Sequence, residues 1–319
     1  MWLYVYSGLM SRCESLAEAY YLVKKTKHKS LKIIWPKSSD CDIAYKDVFD
    51  EKQFEDIKIK IKEIEISQYQ LKEGGVVENL HRLRVGKAIW NFCIIFKNKY
   101  KEIPVILVEK YYRHKRAYVD YTPPANMGWK GEIYLNYLRE RWQIVKEHLT
   151  NGNEIYVRTY RGIIRDKEKN KVEKGVVRFK DEYYEEVDKI VNMPDKVWVG
   201  VHIRRTDHKT AIQSCSIETF IRKMQEIIEK TPNVKFFLST DDILVEEQLK
   251  EKFADKIVTY KEKKWGRNSE NGMKSAIIDC LCLAKCEWIL GSYTSAFSKF
   301  AAEYGKKELV VCKDEDVKE

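Results

Sequence analysis

The segment Val199-Gly-Val-His-Ile-Arg-Arg-Thr-Asp207 joins an apolar run of strand character directly to two adjacent arginines, Arg204 and Arg205. Ionised side chains rarely follow a buried strand unless they have something to hold. In an open α/β sheet, ligands bind in the crevice beyond the carboxyl ends of the strands, so both guanidinium groups stand where a ligand would sit. Planar and permanently charged, they suit bidentate contact with phosphate oxygens. The same residues would also serve a structural pair, Arg204 or Arg205 closing a turn onto Asp207, and position in a fold does not decide between the two.

Two further loops should reach the same sheet edge, because each follows a strand or precedes a helix: Arg267–Asp279 and Gly291–Ser295. Ser292, Thr294 and Ser295 stand where a helix begins, and the unpaired N–H groups and dipole there favour a phosphate. An ordinary Ser/Thr cap would use the same residue types. Asp279 lies in the otherwise apolar run Ala276-Ile-Ile-Asp-Cys-Leu281. A carboxylate in such surroundings needs a partner, and either a guanine edge with its N–H donors or a neighbouring arginine would serve.

The elements that must position these loops alternate strand and helix, the pattern of a parallel sheet with crossover helices. Strands are expected at 197–203, 234–239, 257–260, 288–290 and 308–311, with helices beginning at Ser216 and covering Leu244–Phe253, Met273–Cys286 and Ser295–Tyr304. That is a Rossmann-like domain of ordinary size, 176–319. The N-terminal part, 1–175, reads as a second α/β unit. It has strands at Trp2–Tyr6, Lys32–Trp35 and Val105–Val108, a helix over 12–26 after a glycine-containing turn, and an amphipathic helix at Tyr134–Leu149. The charged stretch Asp166–Lys174 reads as an exposed loop.

Composition narrows the class. The chain has 319 residues, enough for two domains that each bury a core, and its 44% hydrophobic content is that of a folded protein. A net charge of +10 favours an anionic ligand or surface, but both signs are interspersed. The basic runs Lys24–Lys32 and Lys97–Lys101 therefore read as solvated faces, and no nucleic-acid partner is expected. The eight cysteines, at 13, 41, 93, 215, 280, 282, 286 and 312, lack paired zinc spacing and read as small apolar fillers. No signal sequence and no apolar run approaching the ~18–20 residues of a membrane span is visible. A cytoplasmic location, soluble or peripheral at the inner face of a membrane, is the expectation; the oligomeric state is not specified.

Taken together, these segments resemble a known family. His202-Ile-Arg-Arg-Thr-Asp207 resembles the His-Val-Arg-Arg-Thr-Asp signature of the α1,6 branch of the fucosyltransferase superfamily, which also includes α1,2- and protein O-fucosyltransferases and the rhizobial nodulation enzymes. Phe237-Leu-Ser-Thr-Asp-Asp242 resembles the second motif of that branch. The stretch 267–279, with Gly291-Ser-Tyr-Thr-Ser-Ala-Phe297, resembles the third, and Ser7-Gly-Leu-Met-Ser-Arg12 more loosely resembles the opening glycine loop. Residues 36–190 carry no such likeness.

The resemblance implies a GT-B-type fold, two Rossmann-like domains facing a central cleft, the C-terminal one holding GDP-fucose as donor substrate. It places His202 and Asp279 on the nucleoside, Arg204 and Arg205 on the diphosphate and Ser295 on a phosphate oxygen, with Arg267, Ser292 and Thr294 beside them and Asp207 and Asp242 ordering the site. It implies transfer to a glycan or lipid-linked oligosaccharide with no metal and no cofactor, Arg204 and Asp207 being the catalytic candidates. Where the α1,6 enzymes place a Lys and then a Glu credited with acceptor activation after the arginine motif, this chain has His208-Lys-Thr-Ala-Ile-Gln213. Candidates for the base are thus Asp207, His208 and Glu14, and a catalytically lapsed GDP-sugar-binding member or a user of another GDP-sugar such as GDP-mannose are the alternatives. Among the aromatics, Tyr111, Tyr112, Tyr121, Trp129 and Trp142 could stack on a sugar, although most should be core.

Overall fold

The computed structural model describes residues 1–314 apart from 27, 29, 51, 55, 66–104, 125–126, 128–130, 193 and 207–208. In chain order the elements are β1 (Trp2–Val5), α1 (Leu9–Lys25), β2 (Ser30–Lys37), α2 (Tyr45–Val48), β3 (Lys58–Glu65), α3 (Val105–His114), β4 (Tyr118–Asp120), α4 (Gly131–Thr150) and β5 (Tyr156–Thr159). Next come α5 (Asp181–Ile190), β6 (Val197–Ile203), α6 (Lys209–Ser214), α7 (Ile217–Lys230), β7 (Val234–Thr240), α8 (Ile243–Phe253) and β8 (Ile257–Val258). The chain ends with α9 (Glu270–Lys285), β9 (Trp288–Ser292), α10 (Ala296–Gly305) and β10 (Glu308–Cys312). Contacts divide it into two units, one of residues 1–7, 18–38 and 54–172, the other of 8–17, 39–53 and 173–319. The second unit thus recruits two N-terminal segments.

The first unit is built on a sheet in the order β3-β2-β1-β5-β4, with every pairing parallel. Tyr4, Ile34, Tyr112, Ala117 and Tyr156 form one of its buried clusters. The chain after β5 is pinned by Glu18, fully buried on α1, whose Oε2 accepts hydrogen bonds from Ile163 N and, at 2.7 Å, Ile164 N. One expected element is wrong: Val105–Val108 opens helix α3 and is not a strand. A four-residue apolar run fits either period, and the residues after it decide the outcome. Glu109 and Arg113 make an i,i+4 ion pair at 2.7 Å, which only the helix permits. The charged stretch 166–174 contains a short 3₁₀ turn, Lys167–Lys171, capped by the Asp166 side chain.

The second unit carries a sheet in the order β10-β9-β6-β7-β8, again all parallel. Its central strands are buried on both faces, which is why they read as nearly continuous apolar runs. On one face Val199, Val201, Ile203, Phe236 and Leu238 pack with Phe220 and Met224 of α7 and Leu249 and Phe253 of α8. On the other, Gly200 lets α9 close on the sheet: a Cβ there would stand 2.9 Å from a Leu283 methyl. Seven cysteines are free and buried, and Cys93 lies outside the described residues. Among the described residues no helix is long and apolar enough to cross a membrane.

Candidate functional site

Strand order in the second sheet reverses between β6 and β9, because the chain leaves β6 towards β7 and β8 and then returns to the other side. Such a topological switch point opens a crevice at the carboxyl ends of the two strands. There Ser292 ties the strand ends together: its hydroxyl donates to His202 O at 3.2 Å and accepts from Arg204 N at 2.9 Å. Thr294, in the left-handed region at φ 56°, turns the chain into α10. The close seat of that helix depends on Gly291, where a Cβ would lie 2.7 Å from Ser298 Oγ. Ser295 occupies the cap position of α10 but makes no side-chain cap bond; its Oγ lies 3.4 Å from His202 Nδ1. The positive end of α10 is therefore presented at the switch point without a side-chain cap.

The two arginines have different jobs. Arg204 Nη1 pairs with Asp241 Oδ2 at 2.9 Å, leaving its side chain 23% exposed at the strand end. Arg205 turns its guanidinium away, donating to Ile212 O at 3.3 Å and Cys215 O at 2.6 Å, so it holds the loop between α6 and α7. Asp241 is the hub. Besides Arg204, it accepts from Arg205 N at 2.7 Å, from Thr206 N at 3.1 Å and from the Thr206 hydroxyl. These donors hold its carboxyl below the ordinary value even though burial opposes ionisation. Asp242, one residue on, caps α8 by accepting from Leu244 N at 2.9 Å.

His202 is buried and stacks on Phe297 of α10, ring centroids 4.9 Å apart. Burial, with the Arg204 charge adding to it, pushes its pKa down to about 3, so the imidazole is neutral across the physiological range. Asp279, on α9, is 4% exposed. Its Oδ2 accepts from Ser239 Oγ at 3.0 Å and pairs with Lys263 Nζ at 2.8 Å, while Oδ1 is buried with no hydrogen-bond partner among the described residues. Burial raises the pKa of this carboxyl, and Lys263 and Ser239 oppose the rise. Lys263 also donates to Thr240 O at 2.8 Å.

Thus His202, Arg204, Ser292 and Ser295 meet at one strand-end crevice, and Thr294 shapes it. Asp279 is joined to the end of β7 through Ser239 and Lys263. Arg267 lies 3.9 Å from Asp40, and its carbonyl accepts from Asp42 N. Glu14 is half-buried on α1, and Asp207, His208 and Trp129 lie outside the described residues. Tyr112, Tyr121 and Trp142 are core residues, Tyr121 donating to Ile163 O and Trp142 to Asp166, while Tyr111 is half-buried. Sequence reasoning misses Lys263, which sits in a polar loop with no periodicity. The pair Asp241-Asp242 that ends this buried strand reads from the sequence as strand-end hydrogen bonding, and the structure bears that out: Asp241 accepts from Arg205 N and Thr206 N, and Asp242 from Leu244 N.

No family model matches the sequence, and no curated protein matches it. Solved structures do. NodZ α1,6-fucosyltransferase soaked with GDP-fucose is similar with a TM-score of 0.53 at 18% identity, over 95% of this chain and 92% of that one. Fucosyltransferase NodZ from Bradyrhizobium gives 0.54 at 17% identity, over 94% and 92%. POFUT1 in complex with GDP gives 0.53 at 8% identity, over 98% of each chain. With two parallel five-stranded sheets and likeness along nearly its whole length, the chain has the GT-B-type α/β fold of these fucosyltransferases.

Proposed function

We propose that this chain is an inverting glycosyltransferase that moves fucose from GDP-fucose to a hydroxyl of a glycan or lipid-linked oligosaccharide, using no metal ion and no cofactor. The observation that carries the reading is Arg204: one guanidinium, oriented by Asp241, at the switch point of a Rossmann-like sheet beside a neutral His202 and the open end of α10. In this reading the acceptor oxygen attacks the anomeric carbon as the bond to the β-phosphate oxygen breaks. The electron pair leaves on GDP, and Arg204 with the α10 N–H groups neutralises the charge that builds there. Asp279 receives N–H donors of the guanine. The acceptor proton passes to a base, for which Asp207, His208 and Glu14 are the candidates. Fold neighbours studied with GDP-fucose or GDP support the donor class.

A second reading, donor binding without transfer, is favoured by one feature: α6 (Lys209–Ser214) contains no carboxylate where the resemblance calls for a Glu. Release of GDP from GDP-fucose, measured with and without oligosaccharide acceptors, separates the two. The nucleotide itself is tested by calorimetric titration of GDP, ADP and UDP: GDP should bind best, and Asp279→Ala should remove the preference. Tighter binding of UDP or ADP would overturn the reading.

A further inference from the structure

Lys263 stands in the loop between β8 and α9, and its side chain is only 9% exposed. The loop is fastened along α9: Lys264 N donates to Ser275 Oγ at 2.9 Å, and Gly266 packs on Gly272, where a Cβ would stand 1.7 Å from the Gly266 carbonyl oxygen. From that anchored backbone the ammonium meets three partners, one for each of its N–H bonds. They are Asp279 Oδ2 at 2.8 Å, Thr240 O at 2.8 Å and the ring of Trp265, whose centroid is 4.5 Å away. The protein itself therefore saturates Lys263. Asp279 differs, because Ser239 and Lys263 share its Oδ2 while Oδ1 is buried with no hydrogen-bond partner among the described residues. As a device for stability the pair is poor: burying two charges costs about as much as their attraction returns, and a bare buried acceptor adds to the cost. The other titratable groups around this carboxyl do not replace the lysine. His202, in register with Ser239 on the neighbouring strand, is neutral, and burial keeps Tyr260 of the same loop and Cys280 and Cys282 of α9 protonated. Glu246 on α8 adds a negative charge that disfavours a second one, so Lys263 is the cation among them.

Resting on the reading that this site takes GDP, we propose that Lys263 is a positioning residue of the donor site: by occupying Oδ2 it holds Asp279 as a carboxylate whose Oδ1 accepts an N–H of the guanine. A protonated Asp279 fails in that role, since a carboxyl proton on Oδ1 sets donor against donor. Burial drives the carboxyl towards that form, and Lys263, helped by the Ser239 hydroxyl, opposes it. The lysine acts on the donor only through Asp279, so its removal should appear as a dependence of affinity on pH.

Calorimetric titration of the full chain with GDP between pH 6 and 8 tests this. Each variant's Kd is divided by that of the unmodified chain at the same pH, so that titration of the ligand's own phosphate cancels. Lys263→Met should bind GDP about tenfold or more weakly at pH 6, the effect of losing a charged acceptor. The deficit should shrink by up to about tenfold per pH unit as the pH rises and Asp279 ionises. Lys263→Gln, which keeps donors for Thr240 O and Asp279 but carries no charge, should show the same slope and so separates charge from hydrogen bonding. In an Asp279→Asn background, Lys263→Met should change GDP affinity little at any pH. A deficit equal at every pH, no deficit in either variant, or an effect that persists without the Asp279 carboxylate overturns the proposal while leaving the donor reading intact. Failure of the unmodified chain to bind GDP overturns both.

Discussion

Replacing Asp241 with Asn should destabilise the loop that carries Arg204 and Arg205. Three donors converge on Oδ2, namely Thr206 N, the Thr206 hydroxyl and Arg204 Nη1, and a fourth, Arg205 N, meets Oδ1 at 2.7 Å. An asparagine that turns its oxygen to the first three presents its NH₂ to the Arg205 N–H, setting donor against donor in a site whose acceptor is only 19% exposed. The lost bond and the orphaned N–H cost about 1–3 kcal/mol. Neutralising the partner of a mostly buried arginine adds about 1 kcal/mol, for a total of roughly 2–4 kcal/mol. Urea unfolding of the full chain measures this, with Asp242→Ala as the stability control: its loss of one helix cap costs about 1 kcal/mol. Asp241→Asn should also weaken GDP binding, because Arg204 loses the group that aims it. If Asp241→Asn were no less stable than Asp242→Ala and bound GDP normally, the hub assignment would be wrong.

Arg204→Lys should lower kcat by about 10²–10³ with a smaller loss in donor binding, since a point charge cannot reproduce a planar fork; near-normal turnover would refute the leaving-group role. Turnover should survive excess EDTA, and dependence on added Mg²⁺ or Mn²⁺ would point to a metal mechanism instead. His202 titrates near pH 3 in the folded chain and near 6.5 unfolded, so below pH 6.5 the unfolded state binds more protons and stability drops as the pH is lowered, by about 2 kcal/mol at pH 5. In His202→Gln that acid slope should flatten between pH 6.5 and 4, and an unchanged slope would show that the imidazole protonates freely.

How much of this is legible beforehand depends on whether a feature is local. Val197–Ile203 and Val234–Thr240 announce themselves because strands buried on both faces need unbroken apolar runs, and the charges that end them mark the crevice. Ser216 marks a helix start for an equally local reason, its side chain bonding an N–H three residues on, whereas the helices expected from Leu244 and Met273 begin earlier, capped by Asp242 and Ser269. Tyr118–Asp120 and Tyr156–Thr159 do not announce themselves, being three and four residues long with charged or hydroxyl groups among them. In the site, residue identities at 202, 204, 279, 292 and 295 suffice to nominate them. The division of labour between Arg204 and Arg205 is not written locally, since it depends on a loop ten residues later folding back to offer the Cys215 carbonyl. Lys263 likewise acquires its role only because β8 lies beside β7 in the sheet.

The pairing of Arg204 with Asp241 has a kinetic consequence. On the proposed reading, an arriving diphosphate would meet a cation whose field is already partly cancelled at 2.9 Å, so at long range the crevice would attract anions less than the chain's +10 charge suggests. Encounter should therefore be only weakly accelerated at low ionic strength. The advantage of the arrangement is expressed after arrival, in residence time, because the guanidinium need not reorganise to receive the ligand. A donor-exchange experiment across salt concentrations should find the dissociation rate, more than the association rate, responding to changes at position 241.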